Sequence, residues 1–468
     1  MSKLALKYIL LSYFIITYAG CKSPFSDIIK EYTITLHNYN ELKIQIDVVT
    51  NEKVEVSIQY WMNTDSANKI QTIFSKKGLK HSLILYNLIA KTNYSFHFVT
   101  YKDGVKKVSK TYSFHSNELP IPLQNQFKRI CEKPDLLPRE FKNGLILLNK
   151  GEIKGGIYIV DCNGQLRWYE MFEKNGVKVS HFTNDTTIIA ILGEYDDPTS
   201  YGSEIIEFNL TGDTLLHLVK GQVDFTHTIH HEIIMKSKDE IVTLYVDKRI
   251  FDLRSIGGNK TDTVKGDGII ILDRNGKRKW QWSVFDVTDP LKDINILKTK
   301  NDWVHANSLN FSKDSNFIIS FYNTGQIWKI DSHTGKVIWK FGKGGNIVKP
   351  KECNFSESHA AHINNNGELM FFDNGVKNQR SQIFSLKLNE FKSSSKIGIN
   401  IKLPFELFND RMGSAYMVGD SAILSCSSKK DAIVLLNFKG KILWRLDTKI
   451  KPYRAEFLRQ ESLRPYLK

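Results

Sequence analysis

The chain has 468 residues, of which 41% are hydrophobic and 25% are charged. This composition excludes a largely disordered chain and provides enough apolar residues for one or two large cores. The formal net charge is +15, but the lysines are scattered along the chain and form no stripe, so we expect no nucleic-acid partner. The 27 Phe, 19 Tyr and 8 Trp against 11 Pro, together with many alternating Ile-rich runs, favour an all-β fold.

The N-terminus has the organisation of an export signal. Two lysines precede a short apolar run, and the small residues Ala19 and Gly20 stand directly before Cys21. This order is typical of a bacterial lipoprotein, in which Cys21 becomes the lipidated first residue, although Tyr18 occupies a position that usually holds Leu. We predict a signal peptide at 1–20, a tether at 21–31 and a lipid-anchored protein of the bacterial cell envelope, facing the periplasm or the outer membrane. The alternative is an ordinary secretory signal.

The remaining cysteines are widely spaced and contain no Cys-x-x-Cys pair, so we expect no zinc site. One disulfide would be compatible with an exported protein, but four separately buried thiols are the preferred interpretation. These cysteines are Cys131, Cys162, Cys353 and Cys426.

Residues 32–118 read as short alternating strands separated by polar turns, as in "TITLHNYNELKIQIDVV", "VEVSIQYWM" and "TNYSFHFVTY". This size and rhythm predict an N-terminal β-sandwich of the fibronectin III or immunoglobulin type. A proline-rich segment with little periodicity follows, so we place a domain boundary near Leu119.

Residues 119–468 contain a repeat in which an aliphatic residue and Asp or Asn precede a glycine turn and then Trp. The copies are "VDCNGQLRW", "LDRNGKRKW", "IDSHTGKVIW" and "LNFKGKILW", with a degenerate copy "FNLTGDTLL". One long interval between turn glycines predicts a further hairpin around 388–390. Six units of roughly 50 residues predict a six-bladed β-propeller, with a solenoid as the alternative.

Three histidines fall at similar places within these units: His231, His305 and His359 each lie shortly before a turn that opens a β-rich run. Equivalent positions in successive blades converge on the axis of a propeller. The chain has 13 His in all, so a group of three in phase indicates a functional site rather than isolated structural histidines.

Several runs, taken in chain order, carry a resemblance to a known family. They are "HHEI", "DWVHANSLNFSKDSNFIIS", "KIDSHTGKVIWKFG", "SHAAHINNNGELMFFDNG" and "PYRAEF". Together they resemble the bacterial arylsulfotransferases, in which a six-bladed propeller follows a β-sandwich. The resemblance implies a transferase that moves a sulfuryl group from an aryl sulfate to a phenol through a sulfated histidine.

By motif position, the resemblance makes His359 the nucleophile and leaves His362 to support the strand. It maps His305 and Asn307, and the pair His230 and His231, onto groups that hold the sulfuryl oxygens or handle the phenol proton. His231 is preferred to His230 because it is in phase with the other two histidines.

The sequence departs from the family at one position. The family carries an arginine in the strand after His-x-Asn, where this chain has Tyr322. A phenol brings no charge, so we expect weaker binding of small sulfate donors. Arg380 and Arg411 are the candidate substitutes for the missing cation.

We therefore predict a sulfotransferase that uses phenols and aryl sulfates, without a cofactor and without a metal. Two alternatives remain. One is a quinoprotein-like propeller, because "IDSHTGKVIWKFG" also resembles Trp-docking repeats. The other is a non-catalytic propeller lipoprotein that binds a ligand or a partner.

Overall fold

We describe the protein in a computed structural model that covers residues 28–36, 40–183, 186–194, 197–198 and 200–459. The predicted signal peptide, Cys21 and most of the predicted tether lie outside these residues. The covered part contains 34 strands and two short α-helices, so the predicted all-β class is confirmed. Within it, no helix is both long and apolar enough to cross a membrane. Two compact units are separated between Leu119 and Pro120.

The first unit consists of two antiparallel sheets. One has the order β1-β2-β5, and the other has the order β4-β3-β6-β7, with β8 pairing with β6. Strand β1 begins at Ile29, within the predicted tether. Alternate residues of β2, β3 and β6 contribute to one apolar core, which includes Ile46, Ile58 and Phe96. The strands are β1 Ile29–Leu36, β2 Ile44–Val54, β3 Val56–Met62, β4 Ile70–Gln71, β5 Gly78–Leu85, β6 Asn93–Lys102, β7 Val105–Val108 and β8 Tyr112–His115.

The second unit contains six antiparallel sheets of four or five strands among the residues covered. Its strands are β9 Phe127–Ile130, β10 Leu145–Lys150, β11 Gly155–Asp161, β12 Leu166–Phe172, β13 Gly176–Phe182, β14 Ile188–Gly193, β15 Tyr201–Gly202, β16 Glu204–Phe208, β17 Thr214–Val219, β18 Ile229–Ser237, β19 Glu240–Phe251, β20 Asp262–Asp273, β21 Arg278–Ser283, β22 Ala306–Phe311, β23 Phe317–Phe321, β24 Gln326–Ile330, β25 Val337–Gly342, β26 Ser358–Ile363, β27 Leu369–Asp373, β28 Gln382–Asn389, β29 Ser394–Lys402, β30 Ser414–Val418, β31 Ala422–Ser427, β32 Ala432–Asn437, β33 Ile442–Thr448 and β34 Pro452–Leu458.

The helices of this unit are short and lie between strands. The α-helices are α1 Arg139–Asn143 and α2 Ile296–Thr299. The 3-10 helices are Ile121–Leu123, Pro134–Leu136, Arg254–Ile256, Val284–Asp286, Pro290–Lys292, Val376–Asn378, Phe405–Leu407 and Ser428–Lys430.

We number the six sheets in chain order. Sheet 1 is β12-β11-β10-β34, sheet 2 is β13-β14-β16-β17, and sheet 3 is β15-β18-β19-β20-β21. Sheet 4 is β22-β23-β24-β25, sheet 5 is β26-β27-β28-β29, and sheet 6 is β30-β31-β32-β33-β9. The hairpin predicted around 388–390 is present, because β28 pairs with β29.

Each sheet contacts the next through strands near its start. The contacting pairs are β10 with β13, β13 with β18, β18 with β22, β22 with β26, β26 with β30, and β30 with β34. Because β34 pairs with β10, the last strand of the described residues completes the first sheet of this unit. Apolar cores lie between neighbouring sheets, as where Ile318 of sheet 4 and Phe371 of sheet 5 share one cluster.

The Trp of the sequence repeat has a specific structural use. The indole N–H of Trp168 in sheet 1 donates to Leu210 O, 2.9 Å away, in the β16–β17 turn of sheet 2. The indole of Trp444 in sheet 6 donates to Cys162 O at 2.7 Å, in the β11–β12 turn of sheet 1. A buried Trp whose N–H finds a partner in the next sheet both fills the core and orients the two sheets.

The interpretation of four buried thiols is wrong in part. All four cysteines of the described chain are free, but Cys131 and Cys162 are partly exposed, and only Cys353 and Cys426 are buried. Cys162 lies in the β11–β12 turn, where its carbonyl serves the Trp444 indole, so the turn leaves its side chain near the surface.

Candidate active site

Three neighbouring strands begin with the same kind of irregularity. The pairing register shifts near the start of β18, β22 and β26. Left-handed backbone accompanies each shift, with φ values of 57° at His231, 54° at His305 and 51° at Ala360. Such bulges redirect side chains, and non-glycine residues adopt this conformation only where the surroundings hold them. His359 itself precedes the left-handed residue, so it is not the backbone equivalent of His231 and His305.

The bulges bring the predicted residues together. Ring centroids are separated by 4.9 Å between His231 and His305, by 5.5 Å between His305 and Tyr322, and by 5.3 Å between Tyr322 and His359. The ring of His230 lies 5.0 Å from that of His231. We call these five residues the histidine cluster.

The orientation of the His359 ring follows from its contact with Asn374. The amide nitrogen of Asn374 donates to two main-chain carbonyls, Asn409 O at 2.6 Å and Met412 O at 2.9 Å. This identifies Oδ1 as the atom that faces His359, and its distance to His359 Nδ1 is 2.6 Å. Because an amide oxygen only accepts, Nδ1 carries the proton and the lone pair of the neutral ring is on Nε2.

His359 is neutral over a wide pH range. Its side chain is 3% exposed. Burial, together with the nearby His305 and Arg454, lowers the pKa of His359 to about 3, against the opposing bond to Asn374. Desolvation penalises the charged imidazolium, so the ring keeps its nucleophilic lone pair well below neutral pH.

His305 has the opposite tendency. Burial lowers its pKa, but the hydrogen bond and the charge of Asp302 outweigh burial, and the net pKa of His305 is raised. Its Nδ1 lies 2.7 Å from Asp302 Oδ2, which leaves Nε2 free. A protonated His305 would provide a cation and an N–H donor close to His359.

His230 and His231 form a pair at 2.8 Å between their Nδ1 atoms. The other nitrogen of His230, Nε2, lies 3.1 Å from Asp267 Oδ1. Burial and the neighbouring His305, His230, His359 and Arg454 lower the pKa of His231 well below its usual value. His231 is therefore a neutral group that is suited to hydrogen bonding rather than to taking up a proton.

Asn307 bonds the strand that carries His359. The residue is fully buried. Its Nδ2 donates to Ser358 O at 2.8 Å, next to His359 in the chain, and its Oδ1 accepts from Ser320 Oγ. The resemblance places Asn307 among the groups that hold the sulfuryl oxygens or handle the phenol proton, and in the structure its side chain joins β22 to β26.

Tyr322 lies between His305 and His359, at the position where the family has arginine. Its hydroxyl donates to Asp410 O at 2.9 Å. Burial raises the pKa of Tyr322 to about 12, so the phenol is neutral. Its hydroxyl proton is thus directed to the loop before β30.

The two predicted substitute arginines lie in different surroundings. Arg380 donates to Leu403 O at 3.0 Å, and its guanidinium stacks on Phe405, 4.9 Å from the ring centroid. Neither partner belongs to the histidine cluster. Arg411 is exposed, lies 3.6 Å from Asp410 and acts electrostatically on Tyr322. Arg411 is therefore the one of the two that is near the cluster.

Sequence reasoning missed a group of charges beside the histidine cluster, of which Glu232 and Arg454 are buried and His181 and Glu456 are partly exposed. It consists of His181, Glu232, Arg454 and Glu456, which we call the ion cluster. Glu232 Oε1 lies 2.6 Å from His181 Nε2, its Oε2 accepts from Arg454, and Glu456 Oε2 lies 3.1 Å from His181 Nδ1. Burial disfavours the charge on His181, but the two carboxylates raise its pKa to about 9. Two signals in the sequence were available: Glu232 directly follows His231, and Arg454 lies in "PYRAEF".

A cavity of about 260 Å³ adjoins the ion cluster. Its lining includes His362 and Tyr416 as well as the four charged residues, and it does not include His359 or His305. His362 Nδ1 donates to Ala360 O at 2.9 Å, so this histidine supports its own strand, in accord with the role that we expected.

Among the residues that the structure covers, no three His, Cys, Asp or Glu side chains are arranged to hold a metal ion.

Comparisons with known proteins give one family and several distant structures. The family model of arylsulfotransferase (ASST) matches residues 132–398. A Bacteroides caccae protein of unknown function has 11% identity and a TM-score of 0.45, over 68% of this chain and 99% of that one. Virginiamycin B lyase from Staphylococcus aureus has 9% identity and a TM-score of 0.33, over 69% and 98%.

The β-propeller domain of Cps50 (Swd1) from Myceliophteria thermophila has 9% identity and a TM-score of 0.37, over 65% of this chain and 83% of that one. No curated protein sequence matches the chain. The family match covers more than half of the chain and includes the five residues of the histidine cluster. The chain therefore belongs to the arylsulfotransferase family.

Proposed function

We propose that the protein transfers a sulfuryl group from an aryl sulfate ester to a phenol, without a nucleotide donor, through a transiently sulfated His359. The observation that carries this proposal is the state of the His359 ring. It is buried and neutral, and its Nδ1 proton is engaged by Asn374, which leaves the lone pair on Nε2. A positioned neutral imidazole is a good nucleophile at neutral pH.

In the first step, His359 Nε2 attacks the sulfur of the aryl sulfate. A nitrogen–sulfur bond forms, and the bond between sulfur and the aryl oxygen breaks. His305 gives its Nε2 proton to the departing phenolate, because Asp302 raises the pKa of this histidine and so favours its protonated form. Transfer of a sulfuryl group resembles phosphoryl transfer, so positioning and electrostatics supply most of the rate enhancement.

In the second step, an acceptor phenol replaces the first product. The neutral His305 takes the phenol proton, the new oxygen–sulfur bond forms, and the nitrogen–sulfur bond to His359 breaks. His359 returns to its neutral form and His305 to its protonated form, so the cycle needs no cofactor or redox partner. His231, neutral and 4.9 Å from His305 between ring centroids, can accept a hydrogen bond from the phenol.

We extend the proposal to the architecture and the location. Six sheets in cyclic contact, completed by β34, support a six-bladed β-propeller, and two sheets around one core support an N-terminal β-sandwich. The sequence before residue 28 supports a lipid anchor at Cys21 and a place in the bacterial cell envelope. Cys21→Ser should then prevent lipidation, and membrane association that survives this change would contradict the anchor.

One observation favours a second candidate function. Tyr322 stands where the family has arginine, and its hydroxyl is engaged by Asp410 O. A site without that cation would hold a sulfate ester less well. A non-catalytic propeller that binds an aryl ligand is therefore the alternative.

A chromogenic aryl sulfate with an added phenol tests the function. We expect release of the chromophore to depend on the acceptor, with parallel initial-rate lines that indicate a substituted-enzyme mechanism. Rapid quenching without acceptor, followed by peptide mass analysis, should locate a sulfuryl group on His359. Asn374→Leu should slow its formation because the ring loses the partner that sets its tautomer. Binding of the aryl sulfate without any turnover would favour the second candidate.

A further inference from the structure

Arg454 lies in β34, the strand that completes sheet 1, and its side chain is almost fully buried at 5% exposure. One end of its guanidinium, Nη1, donates to Glu232. The other end, Nη2, donates to the main-chain oxygen of Asn307 at 2.9 Å. The hydroxyl of the preceding residue, Tyr453, reaches the same oxygen at 3.3 Å. Thus β34 contacts both β18 and β22 at positions next to the histidine cluster.

Each residue that Arg454 contacts lies close in sequence to a histidine of the cluster. Glu232 directly follows His231 in the chain. Asn307 lies in β22, two residues after His305. Its side chain donates to the carbonyl oxygen of Ser358, which directly precedes His359. A single guanidinium is therefore linked, through residues adjacent in sequence, to all three histidine-bearing strands.

We propose that Arg454 is a positioning residue for the sulfuryl-transfer site. Its fork joins the Glu232 carboxylate to the Asn307 carbonyl and so sets the spacing of His231, His305 and His359. This inference rests on the proposed function for its effect on rate, but its effect on the geometry of the His359 ring can be measured separately.

The chemistry of arginine explains why this residue type is needed. A guanidinium presents several N–H donors in a rigid plane and can bond two acceptors in fixed directions, whereas a lysine ammonium is a single point of charge on a flexible stem. The charges around Arg454 are also balanced, because Glu232 and Glu456 face Arg454 and His181. Replacing arginine by lysine should keep this charge balance but lose the two directed hydrogen bonds of the guanidinium.

The position of Arg454 separates its role from that of a sulfate ligand. Its Nη1 and Nη2 donate to Glu232 and to Asn307 O, its buried Nε has no hydrogen-bond partner among the residues that the structure covers, and its side chain lines the cavity on the side of the ion cluster. The side chain therefore acts on the histidines in two ways, through the strands that it bonds and through its charge, which lowers the pKa of His231 and His359. A displacement of about 1 Å in such a site can cost about a hundred-fold in rate.

The primary test is Arg454→Lys in the full-length protein. We expect kcat to fall about ten- to a hundred-fold with little change in KM for the donor, because the nucleophile is misplaced while the aryl contacts remain. Arg274→Lys is the matched control, since Arg274 lies 2.6 Å from the buried carboxylate of Glu207 in a different part of the unit. Arg274→Lys should lower the melting temperature but leave kcat unchanged.

A second variant supplies a rescue. Arg454→Gly enlarges a cavity that already exists, so guanidinium ion can enter it. Low concentrations of guanidinium should restore part of kcat, and methylammonium at the same concentration should not. Equal rescue by both cations would show that only charge is needed and would overturn the proposal.

An activity-independent measurement completes the test. In protein labelled with 15N at histidine, the Nδ1 and Nε2 shifts of His359 should report a fixed tautomer in the wild type and in Arg274→Lys, but a mixture in Arg454→Lys. If the wild type is inactive and this spectral change still appears, the positioning role stands and the proposed function fails. If Arg454→Lys keeps both the wild-type kcat and the wild-type spectrum, Arg454 is only structural and the inference is wrong.

Discussion

The histidine cluster and the ion cluster are neighbours, yet the pKa values of their buried histidines shift in opposite directions. In the histidine cluster, His359 has few opposing charges, so desolvation lowers its pKa to about 3 and the ring is neutral. In the ion cluster, His181 contacts two carboxylates, which raise its pKa to about 9 despite the same desolvation. Burial alone therefore does not decide the charge of a histidine; the paired carboxylates do.

This difference suits two different tasks. A neutral imidazole with a directed lone pair can act as a nucleophile, whereas a charged imidazole in a paired network can only hold its neighbours in place. His305 combines both environments, since burial and Asp302 act on it in opposite directions. That balance makes it the proton carrier of the proposed reaction.

The largest expected effect separates two histidines of one strand. His359→Ala should lower kcat/KM by more than about a thousand-fold because the covalent intermediate can no longer form. His362→Ala is the matched control and should keep most of the rate, since His362 bonds its own strand at Ala360 O. Initial rates with an aryl sulfate and a phenol measure both variants. Equal losses in the two would remove the distinction between nucleophile and support.

A smaller effect concerns the proton carrier. Asp302→Asn removes the carboxylate that raises the pKa of His305, so His305 should lose its proton at lower pH. The alkaline limb of the kcat profile should move to lower pH, and at a pH on that limb the rate should fall about ten-fold for each pKa unit lost. The measurement is kcat against pH for wild type and variant. An unchanged alkaline limb would assign the proton to another group.

The stability of the two clusters should depend on pH in opposite senses. The folded-state pKa of His359, about 3, lies below the unfolded value of about 6.5. Its contribution is therefore present above about pH 6.5 and lost as the pH falls, by up to about 1.4 kcal/mol per pH unit. For His181, whose pKa is about 9, the contribution is present below about pH 6.5 and lost as the pH rises toward 9.

Denaturant unfolding at several pH values measures this contrast. His359→Asn should flatten the acid side of the stability profile, and His181→Gln should flatten the alkaline side. A His181→Gln variant with an unchanged alkaline side would mean that the ion cluster does not hold His181 in its charged form.

The smallest effect is expected at Tyr322. Tyr322→Phe loses one hydrogen bond to Asp410 O, worth about 1 kcal/mol of stability, and should change kcat little. Tyr322→Arg should lower KM for small aryl sulfates because it restores a cation between His305 and His359. Michaelis–Menten analysis with a short and a bulky donor tests this. A KM that rises with both donors would mean that the site requires the tyrosine side chain at position 322.

The repeats could be predicted from the sequence because they depend on short-range interactions. A glycine turn, a period of two in side-chain burial and a Trp that fills the core are encoded within a few residues, and the hairpins appear where this pattern occurs. The turn between β28 and β29 has no glycine, yet the spacing of the other units predicted this hairpin.

The composition of the site was predicted only in part. His230, His231, His305, Tyr322 and His359 meet as the motifs indicated. The backbone is left-handed at His231 and His305, whereas in β26 it is left-handed at Ala360 and not at His359. The position of a histidine within its repeat could not predict this difference, because a bulge shifts the register by single residues. The spacing of the motifs likewise could not predict the hydrogen bonds of Asn307 to Ser358 and Ser320.

The sequence by itself determined the all-β class, the hairpins and the histidines of the candidate site, since each depends on local patterns of side chains. Only the tertiary structure decided which charges surround those histidines. Arg454 reaches Glu232 and Asn307 because β34, which is far from both residues in sequence, pairs with β10. The protonation of a buried imidazole depends on such neighbours through Coulomb interactions at low dielectric, and these are set by the closure of the fold.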